Sequence, residues 1–331
     1  MDQLTRNQKT IRSIAQLLLT LKPGDRLPPI QTINRQIEVG VGTVQKALSV
    51  LTNAKAVGII ARGHMGSFVE QLDYALLWSL AGHGPVKLLL PHLDAVEFKG
   101  LSEGIDRIFE DHGIRAKIDH RQGATARMNS VLEGVHDACV VSNLAFKRGL
   151  GSDELHAIPL ENVDYYRTGS VMVLTREGPL QSPIRIGCDR TSLDHYLLTQ
   201  SEFPEGMVDQ IAVPCPYGHL LSALLAGAID CGIWHRVDIG LSFDLLPIVA
   251  RAPEQEATLA LLKECAIACL VFRKDRIDVR NLVGLVDART VQIAQGEAQD
   301  ESVAYAKTLT TLIGKRGKSR PYPEADHTVD G

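Results

Sequence analysis

The stretch LPPIQTINRQIEVGVGTVQKALSVL (Leu27–Leu51), followed by GIIARGHMGSFV (Gly58–Val69), decides how the amino-terminal part of the chain folds. Ile30, Ile33 and Ile37 recur at helical spacing after a proline-rich entry, and Glu38-Val39-Gly40-Val41 supplies a tight turn. A second helix follows. Its Val44, Leu48 and Leu51 form an apolar stripe at i, i+4 and i+7, while Thr43, Gln45, Lys46 and Ser49 fall on or near the other side. Two short extended runs, Gly58–Ala61 and Ser67–Val69, flank Arg62-Gly63-His64-Met65-Gly66, which predicts a hairpin with a cationic tip.

Helix, turn, helix and hairpin in that order predict a winged helix-turn-helix, whose natural partner is double-stranded DNA. Charge agrees with this. Residues 1–70 hold nine Lys/Arg against four acids, net +5, whereas the whole chain is −4, so a positive head sits on an acidic body of net −9. The phrases PGDRLPPI, GTVQKALSVL and GHMGSFV together resemble the DNA-binding domain of GntR-type bacterial regulators, and most of all the YhfZ-like group. Gly40-Val41 stands where many such proteins have Ser-Arg, and Gln31 where many have Arg, so two habitual contacts are missing. The resemblance assigns DNA contacts to Gln31, Thr43, Gln45, Lys46, Arg62 and His64. Gln45 suits adenine, through N6 and N7; Lys46 and Arg62 suit phosphates.

At 331 residues and 45% hydrophobic content, the chain has about 250 residues left for a further globular unit. Asp73–Leu80 predicts a connecting helix, with Trp78 packed on its own body or across a dimer. From Val86 the pattern alternates: strand VKLLL, helix 98–111, strand 114–119, helix 125–133, strand 138–141. A second such unit starts near Ile184, with strand IRIGC, helix 192–200, strand 210–213, helix 218–227 and strand 231–234. A strand at 266–272 and helical sequence at 277–295 then return the chain to the first lobe. The expected class is α/β, with parallel sheets. The expected division is 1–70 for the winged head, 71–84 for the connecting helix, 85–314 for two lobes and 315–331 for a disordered tail. The matching phrases EGVHDA (Glu133–Ala138) and AGAIDC (Ala226–Cys231) resemble type II periplasmic binding proteins and effector domains built from them.

Ligands of such folds lie between the lobes at the carboxyl ends of strands, against helix N-termini. That placement nominates His92, Asp94, Ser142 and Asn143 from the first lobe, and Arg190, Thr191, Ser192, Tyr217, His235 and Arg236 from the second. Two arginines beside a helix N-terminus favour a carboxylate or phosphate, with Asp94 available for an amine, so the expected effector is an anionic or zwitterionic metabolite. Ser192 read as a plain helix cap is the competing assignment for that residue. No metal, cofactor or catalytic motif is present, and the expectation is a non-enzymatic protein without cofactor. The six cysteines, none in a C-x-x-C pair, are expected reduced and buried, and no apolar run is long enough to cross a membrane, which points to the cytoplasm. The composite expectation is a homodimeric, ligand-responsive transcriptional regulator. The alternative is a DNA-binding scaffold whose second domain only dimerises or binds protein.

Overall fold

The computed structural model describes residues 5–149, 153–167, 169–206, 209–235 and 246–316, with side chains to residue 305. The head opens with α1 (Arg6–Leu19), started by a reciprocal cap in which the Gln8 N–H donates to the Thr5 hydroxyl and the Thr5 N–H to the Gln8 side chain. Next come α2 (Ile30–Ile37) and α3 (Val41–Asn53), then a hairpin of β1 (Val57–Ala61) and β2 (Ser67–Leu72). Glu38 turns the chain between α2 and α3 by adopting a left-handed conformation at φ 53°. Ile33, Val44, Ala47, Leu48 and Leu51 are buried as the periodicity predicts, and each large aliphatic contributes about 2 kcal/mol.

The connecting helix α4 (Tyr74–Leu80), capped by Asp73, packs on α1. Trp78 is buried on its own body and donates from Nε1 to the Gly84 carbonyl at 2.7 Å. The head is therefore continuous with the body. Ile14, Leu18 and Leu51 of the head share one core with Leu77, Leu88, Leu101, Leu270 and Leu282. Polar ties reinforce it: Arg12 Nε and Gln16 Nε2 donate to the Ala81 carbonyl, and buried Asn281 donates to the carbonyls of Leu19 and Leu21.

The first lobe comprises β3 (Val86–Leu90), α5 (Val96–Asp111), β4 (Ala116–His120), α6 (Ala124–Leu132), β5 (Ala138–Ser142), α7 (Asn143–Arg148) and β6 (Leu155–Asp164). The second comprises β7 (Val171–Arg176), β8 (Ile184–Cys188), α8 (Leu193–Glu202), β9 (Gln210–Pro214), α9 (Leu220–Leu225), β10 (Cys231–His235) and β11 (Ile248–Arg251). Then α10 (Glu256–Cys265) leads back to β12 (Ile267–Arg273), α11 (Ile277–Val283) and α12 (Ala288–Arg316).

The sheets are mixed rather than parallel, which corrects the expectation. Their orders are β4-β3-β5-β12-β6 and β11-β7-β10-β8-β9. Strands β3, β4 and β5 are parallel, as are β8, β9 and β10, but β12, β6, β7 and β11 all run antiparallel to their neighbours. The physical reason is the double crossing. A strand that returns from the other lobe re-enters the sheet without a right-handed βαβ crossover, so nothing holds it parallel.

The two matching phrases have a shared structural role. Gly134 and Gly227 end their helices with positive φ, 72° and 66°. Asp137 then accepts from the Lys87 N–H and Asp230 from the Arg185 N–H, each at the root of the neighbouring strand. Asp230 also takes Arg185 and Arg176 guanidinium groups, which hold its carboxyl far below the usual range. At the other end of the chain, α12 runs to Arg316, so residues 315 and 316 expected in the tail are helical; residues 317–331 lie outside the described residues.

Candidate functional site

On the head, Gln31, Gln45, Lys46, Arg62 and His64 are exposed, and Thr43 is half-buried beside the start of α3. The apolar stripe of α3 faces α1 and α2, which leaves Gln45 and Lys46 on its outer face. The hairpin tip is a short turn over Gly63–Met65, with Arg62 stacked 4.7 Å above the Phe68 ring. Arg26, not singled out from the sequence, joins this tip: it bridges to Phe68, and its guanidinium lies where a Cβ on Gly66 would approach to 3.1 Å.

Between the lobes lies a cavity of about 20 Å³, room for one water-sized group. Its wall includes Asp94, Phe98, Arg127, Tyr165, Tyr166, Ser192, Asp194, Tyr217 and His235. Two helix N-termini meet there. A Cβ on Gly123, at the start of α6, would come within 3.4 Å of the Thr191 carbonyl just before α8.

Four of the residues nominated from the sequence line this cavity: Asp94, Ser192, Tyr217 and His235. Ser192 occupies the cap position of α8, yet its hydroxyl makes no capping hydrogen bond. Tyr217 has its hydroxyl occupied by the His235 backbone, donating to the carbonyl at 3.0 Å and accepting from the N–H at 2.9 Å; its ring stacks on Trp234. His235 is 5% exposed, stands 3.7 Å from Glu97 across the lobes, and leaves Nε2 without a hydrogen-bond partner.

Ser142 lies behind the wall. It caps α7 and donates across the lobe boundary to Asp194 Oδ1 at 2.8 Å. His92 and Arg190 are exposed and do not line the cavity, nor does half-buried Asn143. Thr191 is diverted by Asp189, whose carboxylate accepts its N–H and hydroxyl and also the Tyr217 N–H. Those hydrogen bonds more than offset the burial that raises the Asp189 carboxyl, leaving it below the usual range. They also fold the loop so that Arg190 projects to solvent. Arg236 lies outside the described residues.

The charged wall is instead built by residues that the sequence reading missed. Arg127, 2% exposed, donates to the carbonyls of Val140 and Arg121 and to the Tyr165 hydroxyl. Its sequence signal was a lone cation on the apolar stripe Ala124, Met128, Val131. Asp194, 3% exposed, is pushed up to about 6 by burial, against the lowering effect of the Ser142 hydroxyl and Arg127. Partial desolvation raises Asp94, which remains exposed at the cavity mouth, and burial raises the Tyr165, Tyr166 and Tyr217 phenols. For Glu97, burial pushes up, but His235 and Arg167 outweigh it and hold the carboxyl below its usual range.

The six cysteines are free and buried, and desolvation pushes the Cys139, Cys231 and Cys269 thiols up to about 12. Among the described residues no group of three or more His, Cys, Asp or Glu is placed to hold a metal ion, and no helix is long and apolar enough to cross a membrane.

Fold and cleft together define a two-lobed α/β domain carrying a helix-turn-helix head. The chain belongs to the YhfZ family: the YhfZ C-terminal domain matches residues 73–303, and a helix-turn-helix domain matches residues 22–69. YhfZ of Escherichia coli (strain K12) is 30% identical over 227 residues, covering 69% of this chain and 74% of that protein. The crystal structure of YhfZ from Shigella flexneri superposes with a TM-score of 0.53 at 24% identity, over 69% of this chain and 96% of that one. A Candida albicans protein described as having the generic periplasmic binding protein fold aligns with a TM-score of 0.48 at 14% identity, over 68% and 76% of the two chains.

Proposed function

We propose that this protein is a cytoplasmic, homodimeric transcriptional regulator of GntR type, without catalytic activity, whose DNA-binding head is governed by a small zwitterionic or anionic metabolite held between two lobes. The observation that carries the reading is the shared core. The α1 helix, which backs the recognition helix α3, packs into the same hydrophobic cluster as the first lobe, so the head and one wall of the cleft form a single body. Movement of the second lobe against that body then changes how two heads in a dimer are presented to half-sites about one helical turn apart. Of the six DNA contacts assigned to one head only Lys46 and Arg62 are permanent cations, so a single copy neutralises few phosphates, which favours two.

The scaffold alternative requires a sealed, apolar cleft. A wall holding buried Asp194 and Arg127, with a buried histidine that makes no side-chain hydrogen bond to Glu97 beside it, is a costly way to seal an interface, and it favours sensing. The test is fluorescence anisotropy of the full chain on DNA fragments enriched from a random pool. Lys46→Ala is expected to weaken all sequences and flatten the salt dependence, Gln45→Ala to relax base preference, and small molecules from cell extract to shift the binding curve. Failure to enrich any sequence from the pool, at low salt and with or without extract, refutes the regulator reading.

A further inference from the structure

The cleft was expected to present arginines to an anion, but its described wall is dominated by acids and rings. Asp194 is almost wholly buried, and only one of its oxygens, Oδ1, is hydrogen-bonded, to Ser142. Among the described residues no lysine, arginine or histidine lies within ion-pair distance of it. Arg127, the one cation among the described wall residues apart from the histidine, has Nε, Nη1 and Nη2 already directed at two carbonyls and a phenol. Asp94 stands at the cavity mouth, and Glu97 lies directly behind His235.

Three of the chain's seven tyrosines line this one cavity, together with Phe98. The rings of Phe98, Tyr165, Tyr166 and His235 form one cluster, with centroids 4.8 to 6.2 Å apart. A buried carboxylate with a free oxygen, beside electron-rich rings, matches a cation rather than an anion. On the same wall, His235 Nε2 is met only by Glu97 Oε2, at 3.7 Å and without a hydrogen bond.

Resting on the metabolite-sensing reading above, we propose that the cleft holds a subsite for a protonated amine, with Asp194 as the counter-ion, Asp94 at the entrance, and Phe98, Tyr165 and Tyr166 around the ammonium group. The ligand class is a small primary amine, either an amino acid, within the zwitterionic class proposed above, or a diamine, beyond it. The cavity accepts one water-sized group, the size of an ammonium head. The rest of such a ligand requires the lobes to part, which strains the buried Ser142–Asp194 bond that now joins them. An arriving ammonium therefore acts at the lobe contact itself.

The test uses calorimetry of the full chain with four probes that share a five-carbon backbone and differ only in their ends: diaminopentane, aminopentanoate, glutarate and pentanediol. Binding is expected for the two amines, with glutarate and pentanediol silent. Asp194→Asn keeps an oxygen for Ser142 and is expected to lower amine affinity by at least about tenfold, with its circular dichroism unchanged. Phe98→Leu, which leaves the acids in place, is expected to weaken the amines less, by about threefold to tenfold. Glutarate binding in place of the amines overturns the amine subsite and leaves metabolite sensing standing. Silence of all four probes, or unchanged amine binding in Asp194→Asn, also overturns the subsite. Failure of the sensing reading shows instead in the anisotropy experiment, as DNA binding indifferent to extract.

Discussion

Replacing Asp194 by Asn isolates the energetic cost of the cleft. In the folded chain burial raises this carboxyl from 3.8 to about 6, a gap of about two pKa units, worth about 3 kcal/mol at about 1.4 kcal/mol per unit. The sign follows from proton counting. Between the two values the folded state keeps a proton that the unfolded chain has released, so stability falls as pH rises through this window and levels off above it. Asn carries the same shape, keeps an acceptor for Ser142, and has no charge to desolvate. Its stability advantage over the native protein is expected to grow from about 1 kcal/mol near pH 4.5 to about 3 kcal/mol near pH 7.5. The assay is urea unfolding at matched pH, and the quantity read is the difference between variant and native protein, which cancels the other titrating groups. A difference that does not change with pH, or an Asn variant that is weaker throughout, would mean that Asp194 is already well paired as an anion, and the reasoning would fail.

Two further perturbations probe the frame that carries the cleft. Asn281→Ala removes the donor from the Leu19 and Leu21 carbonyls; it is expected to cost about 1–3 kcal/mol and to accelerate amide hydrogen exchange in the last turn of α1 more than in α3. The crossing of α5 and α12 is closed by glycine, since a Cβ on Gly104 would sit 2.7 Å from the Val291 Cα, whereas one on Gly296 meets nothing within 4 Å. In thermal melts Gly104→Val is accordingly expected to destabilise by at least about 1–3 kcal/mol, and Gly296→Ala to stabilise by up to about 1 kcal/mol.

The head was legible because its signals are local: a stripe at Val44, Leu48 and Leu51 needs nothing beyond its own helix and two neighbours to be read as buried. Most strands of the lobes were legible for the same reason, but their partners were not. Strand β12 pairs with β5 and β6, more than a hundred residues earlier, and no sequence pattern distinguishes that return from a parallel addition. Strands β6 and β7 fell in a stretch with no clear alternation and went unread. The cleft was half legible. Placing candidates at strand ends found Asp94, Ser192, Tyr217 and His235, because topology alone brings those ends together. Arg190 stands away from the cavity, its direction set by three hydrogen bonds to its neighbour Asp189. The same placement passed over Arg127, Asp194 and Glu97, since a charge in a helix's first turns reads as a solvated group or a dipole partner until burial is known.

The same burial explains why the two lobes do not contribute equally to any response. Lobe one shares its core with the head, and α12 is locked to α5 by glycine contacts and to the lobe crossing by Gln295, which donates to the Glu97 and Asp164 carbonyls and accepts from the Asp164 N–H. Lobe two reaches this body through the crossing segments, the Leu144 cluster and two polar contacts, Ser142 to Asp194 and Glu97 to His235. Those contacts include a carboxyl raised by burial and a histidine held from Glu97 at 3.7 Å without a hydrogen bond, so the lobe boundary is incompletely satisfied. A rearrangement costs least where the existing bonds are poorest. On the proposed reading the cleft is where the fold is expected to yield, and because the head shares its core with lobe one, lobe two is expected to move relative to the head.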